Sequence, residues 1–368
     1  GVRFLDSWQQ TRQIGARTSL SLLPELRLDL NWDGQWQGNL QSTVTFDPMQ
    51  RRFQEATTRE GQTTLTTWGL RGSYGRFFRA QWARLQADGI QGGEVRDRDG
   101  DGFVVGSNAS LLWDFQRIFG GPFSGVRDRY GMLVLPLPNW QVVWTGLERL
   151  WILRRLVSSI VLRHGYVGQY QASWRANLNA GAPFTYRIGG IRVYDTIPAY
   201  EGRDLSIAQR FAPLIGLSLT WKGDVRTELT YNQARIVSLS FSNANVNIRR
   251  VAELSFRTSY RRSRFRLPFS LFGIRSLDND VTIGLAISFS QEVRDVYYLS
   301  QDLDEALSGA LRIEDLRPRT SDGSARWVIE PTFGYTFSSR VTAEFRWRIE
   351  DVAPRGSSRV TPSTTQQI

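Results

Sequence analysis

The sequence predicts an all-β protein: a segment of an antiparallel transmembrane β-barrel that carries long loops and one short helix. Apolar and polar residues alternate strictly over long segments, as from Val341 to Ile349, where Thr, Glu and Arg fill every second position. Several such segments reach the roughly 9–11 residues that a tilted strand needs to cross a bilayer. No apolar run approaches the length of about 18 residues expected of a spanning helix.

Each alternating segment has one apolar and one polar face, because a β-strand sends successive side chains to opposite sides. The apolar face needs a non-aqueous partner, which is either a protein core or lipid. A soluble β-sandwich with one wet face per sheet is the alternative, since its strands show the same alternation. Soluble strands average about 5–6 residues, so the longer segments here favour the lipid-facing barrel.

The segments follow one another as strand pairs joined by tight polar turns, such as Lys222-Gly223-Asp224. In chain order the clearest are Leu26–Asp33, 215–231, Ala252–Arg261, Val281–Ser290, Trp327–Ser338 and Val341–Ile349. A meander of this kind is typical of an up-and-down barrel. We therefore interpret residues 1–368 as one barrel segment.

Three stretches interrupt the alternation. Residues 88–138 are rich in Gly, Arg and Asp and are predicted to form a long loop or a plug-like insertion. Residues 147–158 place most of their apolar side chains on one helical face, which predicts a short amphipathic helix. Residues 301–323 are acidic and are predicted to form a partly helical loop.

In a barrel, the polar face of each strand lines the lumen and the apolar face contacts lipid. The predicted lumen-facing residues are Arg226, Glu228, Glu253, Arg257, Glu330, Glu344, Arg346 and Arg348. The predicted lipid-facing residues are Leu28, Leu30, Trp32, Leu229, Tyr231, Leu254, Phe256, Phe345 and Trp347. Position 285, occupied by Leu285 in the alternating segment Val281–Ser290, receives no lipid-facing assignment.

The chain is strongly basic, with 46 Lys and Arg against 35 Asp and Glu and a pI of about 10.4. Many of its arginines lie beside Glu or Asp on the polar side of strands, which is a solvated or lumenal pattern. A nucleic-acid-binding surface would instead be one continuous basic patch, so no nucleic-acid partner is expected. The absence of cysteine excludes disulfides and thiolate metal sites.

One short run has the spacing of a calcium loop. Asp97, Asp99, Asp101 and Gly102 match positions 1, 3, 5 and 6, where alternating carboxylates converge on a hard cation. Position 12 is Asn108, which lacks the usual bidentate carboxylate. The alternative is a solvated Asp-Gly turn, and apart from this calcium no cofactor is expected.

No catalytic constellation is evident. His164 is the only histidine, and no nucleophile elbow accompanies it. The sequence contains no Gly-rich phosphate loop that opens a helix, and its carboxylates are scattered over strands. We therefore expect a protein that is not an enzyme, with His164 as an ordinary strand residue.

Several motif blocks resemble a known family. They are Leu135-Pro-Leu-Pro-Asn-Trp140, Thr145-Gly-Leu147, His164-Gly-Tyr166, Arg210-Phe-Ala-Pro-Leu-Ile-Gly-Leu217, the run from Tyr231 to Asn243, and Arg266-Leu-Pro-Phe269. In this order they resemble the C-terminal region of the SprA/Sov family, the outer-membrane translocons of the type IX secretion system and gliding motility. The positions that carry the resemblance are Pro136, Pro138, Asn139, Trp140, Phe211, Pro213, Phe241 and Asn243.

The resemblance implies an internal piece of a very large barrel in the cell outer membrane that exports folded cargo proteins. It also implies a plug protein and a smaller outer-membrane barrel as partners, beside the lipid bilayer itself. The run from Asp97 to Asp101 has no counterpart in the family pattern. Two alternatives remain: another outer-membrane barrel of the porin or receptor type, and a soluble all-β binding module.

Overall fold

The computed structural model describes residues 3–47, 49–69, 73–88, 90–91, 94–95, 108–119, 137–150, 152–176, 183–188, 191–196, 200–263, 265–271, 274–277, 280–338, 340–356 and 363–367. The strands are β1 (Arg3–Leu23), β2 (Leu26–Asp47), β3 (Arg52–Thr66), β4 (Ile90–Gln91), β5 (Glu94–Val95), β6 (Asn139–Trp144), β7 (Val157–Ala176), β8 (Pro183–Ile188), β9 (Ile191–Thr196), β10 (Tyr200–Trp221), β11 (Val225–Ser240), β12 (Asn245–Arg262), β13 (Phe265–Leu271), β14 (Ile274–Leu277), β15 (Val281–Tyr298), β16 (Thr320–Ser338), β17 (Val341–Arg346), β18 (Arg348–Gly356) and β19 (Ser363–Gln367). The helices are α1 (Tyr74–Asp88), α2 (Asn108–Phe119) and α3 (Leu299–Leu307).

One antiparallel sheet of 13 strands, which we call the wall, carries the fold. Its order is β1-β2-β3-β7-β10-β11-β12-β15-β16-β18-β19, with β6 between β2 and β7 and with β17 against β16. The predicted all-β, antiparallel barrel-segment class is confirmed. Within the described residues the wall is open, because neither β1 nor β19 has a strand on its outer side.

The wall has two different ends. At the end that we call lower, connections of three residues or fewer join β1 to β2, β10 to β11 and β16 to β17, and longer ones, 145–156 and 263–280, join β6 to β7 and β12 to β15. At the upper end the connections include 177–199 between β7 and β10 and the segment with α3 between β15 and β16. A smaller sheet at the upper end, β4-β5-β9-β8, joins the 88–138 stretch to the β7–β10 connection.

Strands β3 and β6 share one position of the wall, between β2 and β7. β3 descends from the upper end and stops at Thr66, whereas β6 continues the same position from Asn139 to the lower end. Both pair with β2 on one side and β7 on the other. The chain therefore leaves the wall at mid-height and returns 72 residues later, in a segment (67–138) that holds α1 and α2.

Hydrogen bonds close the wall at this break. The Leu137 N–H donates to the Thr66 carbonyl oxygen at 2.8 Å. The Asn139 side-chain oxygen accepts from the Gly168 N–H at 2.7 Å, and the Thr66 hydroxyl oxygen accepts from the Asp33 N–H at 3.1 Å. These backbone groups would otherwise lack partners inside a sheet, at a cost of about 1–3 kcal/mol each.

The three helices pack on one face of the wall at its upper end. Apolar residues of α1 recur at Tyr74, Phe77, Phe78 and Trp82, which form one face of a helix. The helix begins after Ser73, whose hydroxyl oxygen accepts from the Arg76 N–H at 3.3 Å. The buried core between the helices and the wall consists of Leu65, Tyr74, Phe77, Phe78, Leu111, Phe115, Phe119, Tyr170, Ala172, Leu205, Ile207, Val237, Leu239, Phe241, Val246, Ile248, Leu299 and Leu303.

The prediction of a single short helix over 147–158 is wrong. This stretch contains two separate 3₁₀ turns, Leu147–Arg149 and Leu153–Arg155, and β7 begins at Val157. The backbone of Leu150, which ends the first turn, is extended (φ −61°, ψ 135°) and breaks the helical path. The α-helices lie elsewhere, and one of them, α2, lies within the 88–138 segment that was predicted to be a loop or plug-like insertion.

We expect Gly168→Ala to destabilise the wall at the break. A Cβ atom at Gly168 would lie 1.8 Å from the Thr67 carbonyl oxygen, so the backbone would have to move. The expected cost is about 1–3 kcal/mol, measured as the shift in the urea midpoint of the heat-modifiable folded band on gels. Gly38→Ala in β2 is the control, because a Cβ there meets no described atom within 4 Å. Equal midpoints for the two variants would contradict this account of the break.

Candidate functional site

The register of the wall produces one continuous apolar row. Residues that face each other across an antiparallel pair lie on the same side of a sheet. The row takes one residue from each of nine strands: Leu26, Trp144, Leu162, Leu217, Leu229, Phe256, Ile287, Ile329 and Ile349. All nine residues predicted to face lipid lie on this side, which we call the apolar face.

Position 285, which received no lipid-facing assignment, lies on the same side of the wall as these residues. Leu285 is the partner of Thr258 in β12 and of Pro331 in β16. Because it lies two residues before Ile287 on β15, Leu285 belongs to the apolar face. The alternation that predicts the lipid-facing residues therefore applies to Leu285 as well.

Below the helices the apolar face is open rather than covered. Phe345 is 55% exposed, Trp327 49% and Leu254 41%, although these are among the most apolar side chains of the chain. Trp327 and Phe337 delimit the exposed part of β16, about 34 Å along the strand. A tilt of about 40° reduces this to about 26 Å, close to the roughly 25 Å apolar band of outer-membrane barrels.

The opposite side of the wall, which we call the charged face, carries all eight residues predicted to face a lumen. Glu228, Arg257 and Glu330 lie on one cross-strand row with Ala286 between the last two. The next row on this face contains Arg226 and Arg346, together with Ser259, Gly284 and Thr332. Charges of both signs therefore alternate across neighbouring strands.

A cavity of about 510 Å³ is open on the charged face. Its charged lining residues are Arg226, Glu228, Arg257, Glu330 and Arg346. Five of the eight predicted lumenal residues thus lie around one water-accessible hollow. The remaining three, Glu253, Glu344 and Arg348, lie beside it on the same face.

Ion pairs at the edge of this cavity connect β16 with β18 and join neighbouring side chains within β17 and within β18. The guanidinium of Arg348 donates to Glu330 at 3.1 Å and to Glu350 at 2.9 Å. Arg346 donates to Glu344 at 3.0 Å. These side chains are partly exposed, so each pair contributes little to stability. Their physical effect is to keep the surface hydrated and of mixed sign.

Helices α1, α2 and α3, which together we call the helical cover, lie on the apolar face and not on the charged face. Tyr74 of α1 stacks on Tyr297, the neighbour of Val246 across the β12–β15 pair, at a ring distance of 4.1 Å. In α2, the Gln116 amide donates to the Tyr170 hydroxyl at 2.7 Å. Helix α2 of the 88–138 stretch therefore lies on the apolar face, and the loop or plug-like insertion predicted for the whole stretch stays a prediction.

Asp302 joins α1 to α3 beneath this cover. Its side chain is 2% exposed and accepts from the Tyr74 hydroxyl at 2.5 Å and from Arg319 at 2.9 Å. Burial raises the pKa of Asp302, and the hydrogen bond from Tyr74 and the charge of Arg319 offset part of that rise. Burial, followed by the negative charge of Asp302, raises the pKa of Tyr74.

The break in the wall brings several of the family-motif residues together. Trp140 stacks on Tyr166 at 4.3 Å, and Tyr166 lies 5.1 Å from Phe211, measured between ring centroids. Pro213 lies in the β10 bulge between Phe211 and Ile215, and the His164 Nδ1 donates to the Leu214 carbonyl oxygen at 2.8 Å. Blocks that are about 70 residues apart in sequence thus form one aromatic cluster, in which His164 has a structural role.

Other predicted residues lie away from this cluster or outside the described part. Asn139 and Pro138 border the break, whereas Phe241 is buried at the upper β11–β12 turn and Asn243 is exposed in that turn. Pro136 and the predicted calcium ligands Asp97, Asp99 and Asp101 lie outside the described residues. Among the residues that are described, no group of acidic or histidine side chains could hold a metal ion.

Sequence reasoning missed helices α1 and α2 and their buried polar contacts, whereas the partly helical loop predicted for residues 301–323 overlaps α3. The spacing of Tyr74, Phe77 and Phe78 was a helical signal that the surrounding Gly and Arg content obscured. The buried Asp114, which accepts from Gln81 at 2.5 Å and Arg84 at 3.1 Å, has no sequence signature. No helix in the described part of the chain is long and apolar enough to cross a bilayer.

Comparisons with known proteins add little. No family model matches the chain, and no curated protein matches it. Among solved structures, it is similar to OmpT, an outer membrane protein of Vibrio cholerae, with 7% identity over 99% of this chain and 93% of that one, at a TM-score of 0.22. The trimer form of the same protein has 8% identity over 99% and 96% of the two chains, at a TM-score of 0.20. At such TM-scores the likeness carries no weight, and the fold rests on the wall itself.

We expect Asp302→Ala to loosen α1 from α3, because the buried Tyr74 hydroxyl would lose its acceptor at a cost of about 1–3 kcal/mol. Asp302→Asn is the control, since its amide oxygen still accepts from Tyr74. Hydrogen exchange of the α1 and α3 amides measures the effect.

The same hydrogen-exchange experiment tests how the stability of α3 depends on pH. A carboxyl group whose pKa is raised in the folded state favours folding below its ordinary pKa and loses that contribution as the pH rises through the raised value. Protection of α3 should therefore fall as the pH rises through this window in the parent protein and stay level in Asp302→Asn. A pH profile unchanged by Asp302→Asn would contradict the assignment.

Proposed function

We propose that this chain is a wall segment of a large outer-membrane channel that conducts folded cargo proteins. One observation carries the proposal: an apolar row crosses nine strands with its side chains only partly buried or exposed, and a charged, water-accessible face lies on the other side of the same strands. A barrel in a membrane needs this arrangement, with lipid against the apolar face and water in the lumen.

The size of the exposed apolar face favours lipid over water as its partner. Soluble monomers rarely expose contiguous apolar patches larger than a few hundred Å². Here the exposed side chains include Trp327, Ile329, Phe333, Phe345 and Trp347 on two adjoining strand positions alone. A soluble sandwich requires a second layer over these residues, and in the described residues the helices cover only the upper end.

The dimensions of the wall favour an aqueous channel. The wall already has eleven strand positions, and the outer edges of β1 and β19 are unpaired among the described residues. Open sheet edges are not tolerated in hydrocarbon, so we propose that further strands pair with them. A barrel's diameter grows with strand number, and barrels of about 16–18 strands already hold water.

The finer assignment, to a SprA/Sov-like translocon of type IX secretion, rests on the motif resemblance. The meeting of the Pro-Asn-Trp, His-Gly-Tyr and Phe-Ala-Pro blocks at the wall break supports it, because the blocks behave as one structural unit. Secreted cargo, a plug protein and a smaller barrel beside it are the partners that this assignment implies. Since α1 and α2 lie on the apolar face, they would lie outside the lumen, which leaves the plug to a separate protein.

Neighbouring residues on opposite faces test the membrane assignment. Phe345 and Arg346 differ little in exposure, at 55% and 63%, so reactivity differences report their surroundings and not burial. We expect a fluorophore on Phe345→Cys, in the intact protein in bilayers, to be quenched by brominated lipids and inaccessible to a hydrophilic maleimide. Arg346→Cys should show the reverse, and the chain has no native cysteine to interfere. Equal aqueous labelling of both sites would refute the lipid-facing assignment.

The charge of the cavity tests the lumenal assignment. We expect Arg226→Gln/Arg257→Gln/Arg346→Gln to shift the reversal potential towards cation preference, because Glu228 and Glu330 remain. The matched variant Glu228→Gln/Glu330→Gln should shift it in the opposite direction. Recordings at about 0.01 M salt, where the Debye length is about 30 Å, should show a larger shift than those at about 0.1 M. Unchanged ion preference in both variants would place these residues outside the conduction path.

A further inference from the structure

The lower end of the wall carries a second cavity, of about 470 Å³. It lies between the 3₁₀ turns that precede β7 and the turn that joins β10 to β11. The residues that line it are Glu148, Arg149, Arg154, Val157, Ser158 and Lys222. Three of the six are cationic, and Lys222 is the only lysine of the chain.

The single carboxylate in this cavity already has a structural role. The Glu148 carboxylate accepts from the Ile160 N–H at 3.1 Å, just beyond the point where β6 ends against β7. Arg149 is paired with Glu25 of the β1–β2 turn. In the described part of the chain, neither Arg154 nor Lys222 forms an ion pair, so the cavity retains an uncompensated positive charge.

The backbone holds these two cations on adjoining turns. The Lys222 N–H donates to the Leu156 carbonyl oxygen at 3.0 Å, which ties the β10–β11 turn to the end of the second 3₁₀ turn. The Leu156 N–H in turn donates to the Leu153 carbonyl oxygen at 3.0 Å, within the turn that carries Arg154. The cationic groups therefore approach the cavity from a connected frame and not from independent loops.

Exposed apolar side chains surround the cationic cavity. Leu150, Ile152 and Leu156 are 54%, 57% and 57% exposed. They follow Trp144 along the chain, which ends β6 at the lower end of the apolar face and is 39% exposed. An anionic group flanked by hydrocarbon is the ligand that matches both features, and a lipid headgroup phosphate with its acyl chains has this chemistry.

We propose that this cavity binds the phosphate of a glycerophospholipid in the periplasmic leaflet, with Arg154 and Lys222 contacting the phosphate. The inference rests on the proposed membrane function. It places the lower end in the periplasm because outer-membrane barrels have short periplasmic turns and longer extracellular loops. The lower end carries the three shortest turns between neighbouring wall strands, and the upper end carries the two longest connections, 177–199 and 299–319. Leu150, Ile152 and Leu156 then pack against the acyl chains.

The test compares lipid retention by variants of the intact protein. Protein purified in mild detergent is incubated with phosphatidylglycerol, and bound lipid is measured by native mass spectrometry. We expect Arg154→Gln/Lys222→Gln to bind at least about tenfold less lipid than the parent protein, since each cation near an anionic lipid contributes appreciably to affinity. Arg155→Gln is the matched control, because Arg155 is a neighbouring exposed arginine that does not line the cavity.

The outcomes distinguish a lipid site from a simple anion site, and failure of this inference from failure of the proposed function. Equal lipid retention by the double variant and by Arg155→Gln would overturn the site. Displacement of the lipid by millimolar inorganic phosphate alone would show an anion site without lipid specificity and would also overturn it. Brominated-lipid quenching at Phe345→Cys is measured in the same variants. If the quenching persists while Arg154→Gln/Lys222→Gln retains as much lipid as the parent protein, only this inference fails. If the quenching is absent in the parent protein, the proposed function fails.

Discussion

The structure depends on how one apolar face is kept from water along strands of up to 22 residues. These strands are about twice as long as a bilayer crossing needs, so lipid can cover only part of them. At the upper end, helices α1–α3 supply the cover, and Phe77, Phe78 and Phe115 are fully buried there. Below the helices the face is open, and in the proposed function lipid takes their place. In that proposal, protein and lipid cover different parts of one continuous surface.

The charged face obeys the opposite requirement along the same strands. Because the side-chain period is two, each apolar residue that faces lipid or a helix forces its neighbours to the other side. Those neighbours include Arg226, Glu228, Arg257 and Glu330, which line one cavity. Mixed charges keep such a surface hydrated without a single dominant sign, a property suited to a conduit for varied proteins.

The break between β3 and β6 shows how a wall can accommodate a large insertion. The interrupted position is closed by the Asn139 side chain and the Thr66 hydroxyl, so these strand ends keep their hydrogen bonds. The aromatic cluster of Trp140, Tyr166 and Phe211 packs beside it. The inserted helices then cover the apolar face of strands far along the wall, which ties the insertion to β7, β10, β11 and β12.

The sequence by itself determined the strands, the tight turn at Lys222–Asp224 and the side of the wall on which Glu228 or Phe345 lies, because alternation is a local property that sterics impose on every strand. Only the tertiary structure decided that Trp140 and Phe211 meet at one break, that the 147–158 stretch is two 3₁₀ turns, and that α1 covers the apolar face. These features arise from contacts between residues distant in the chain. Tyr74 and Asp302, 228 residues apart, are one example. No local pattern records which distant partner will satisfy a buried group.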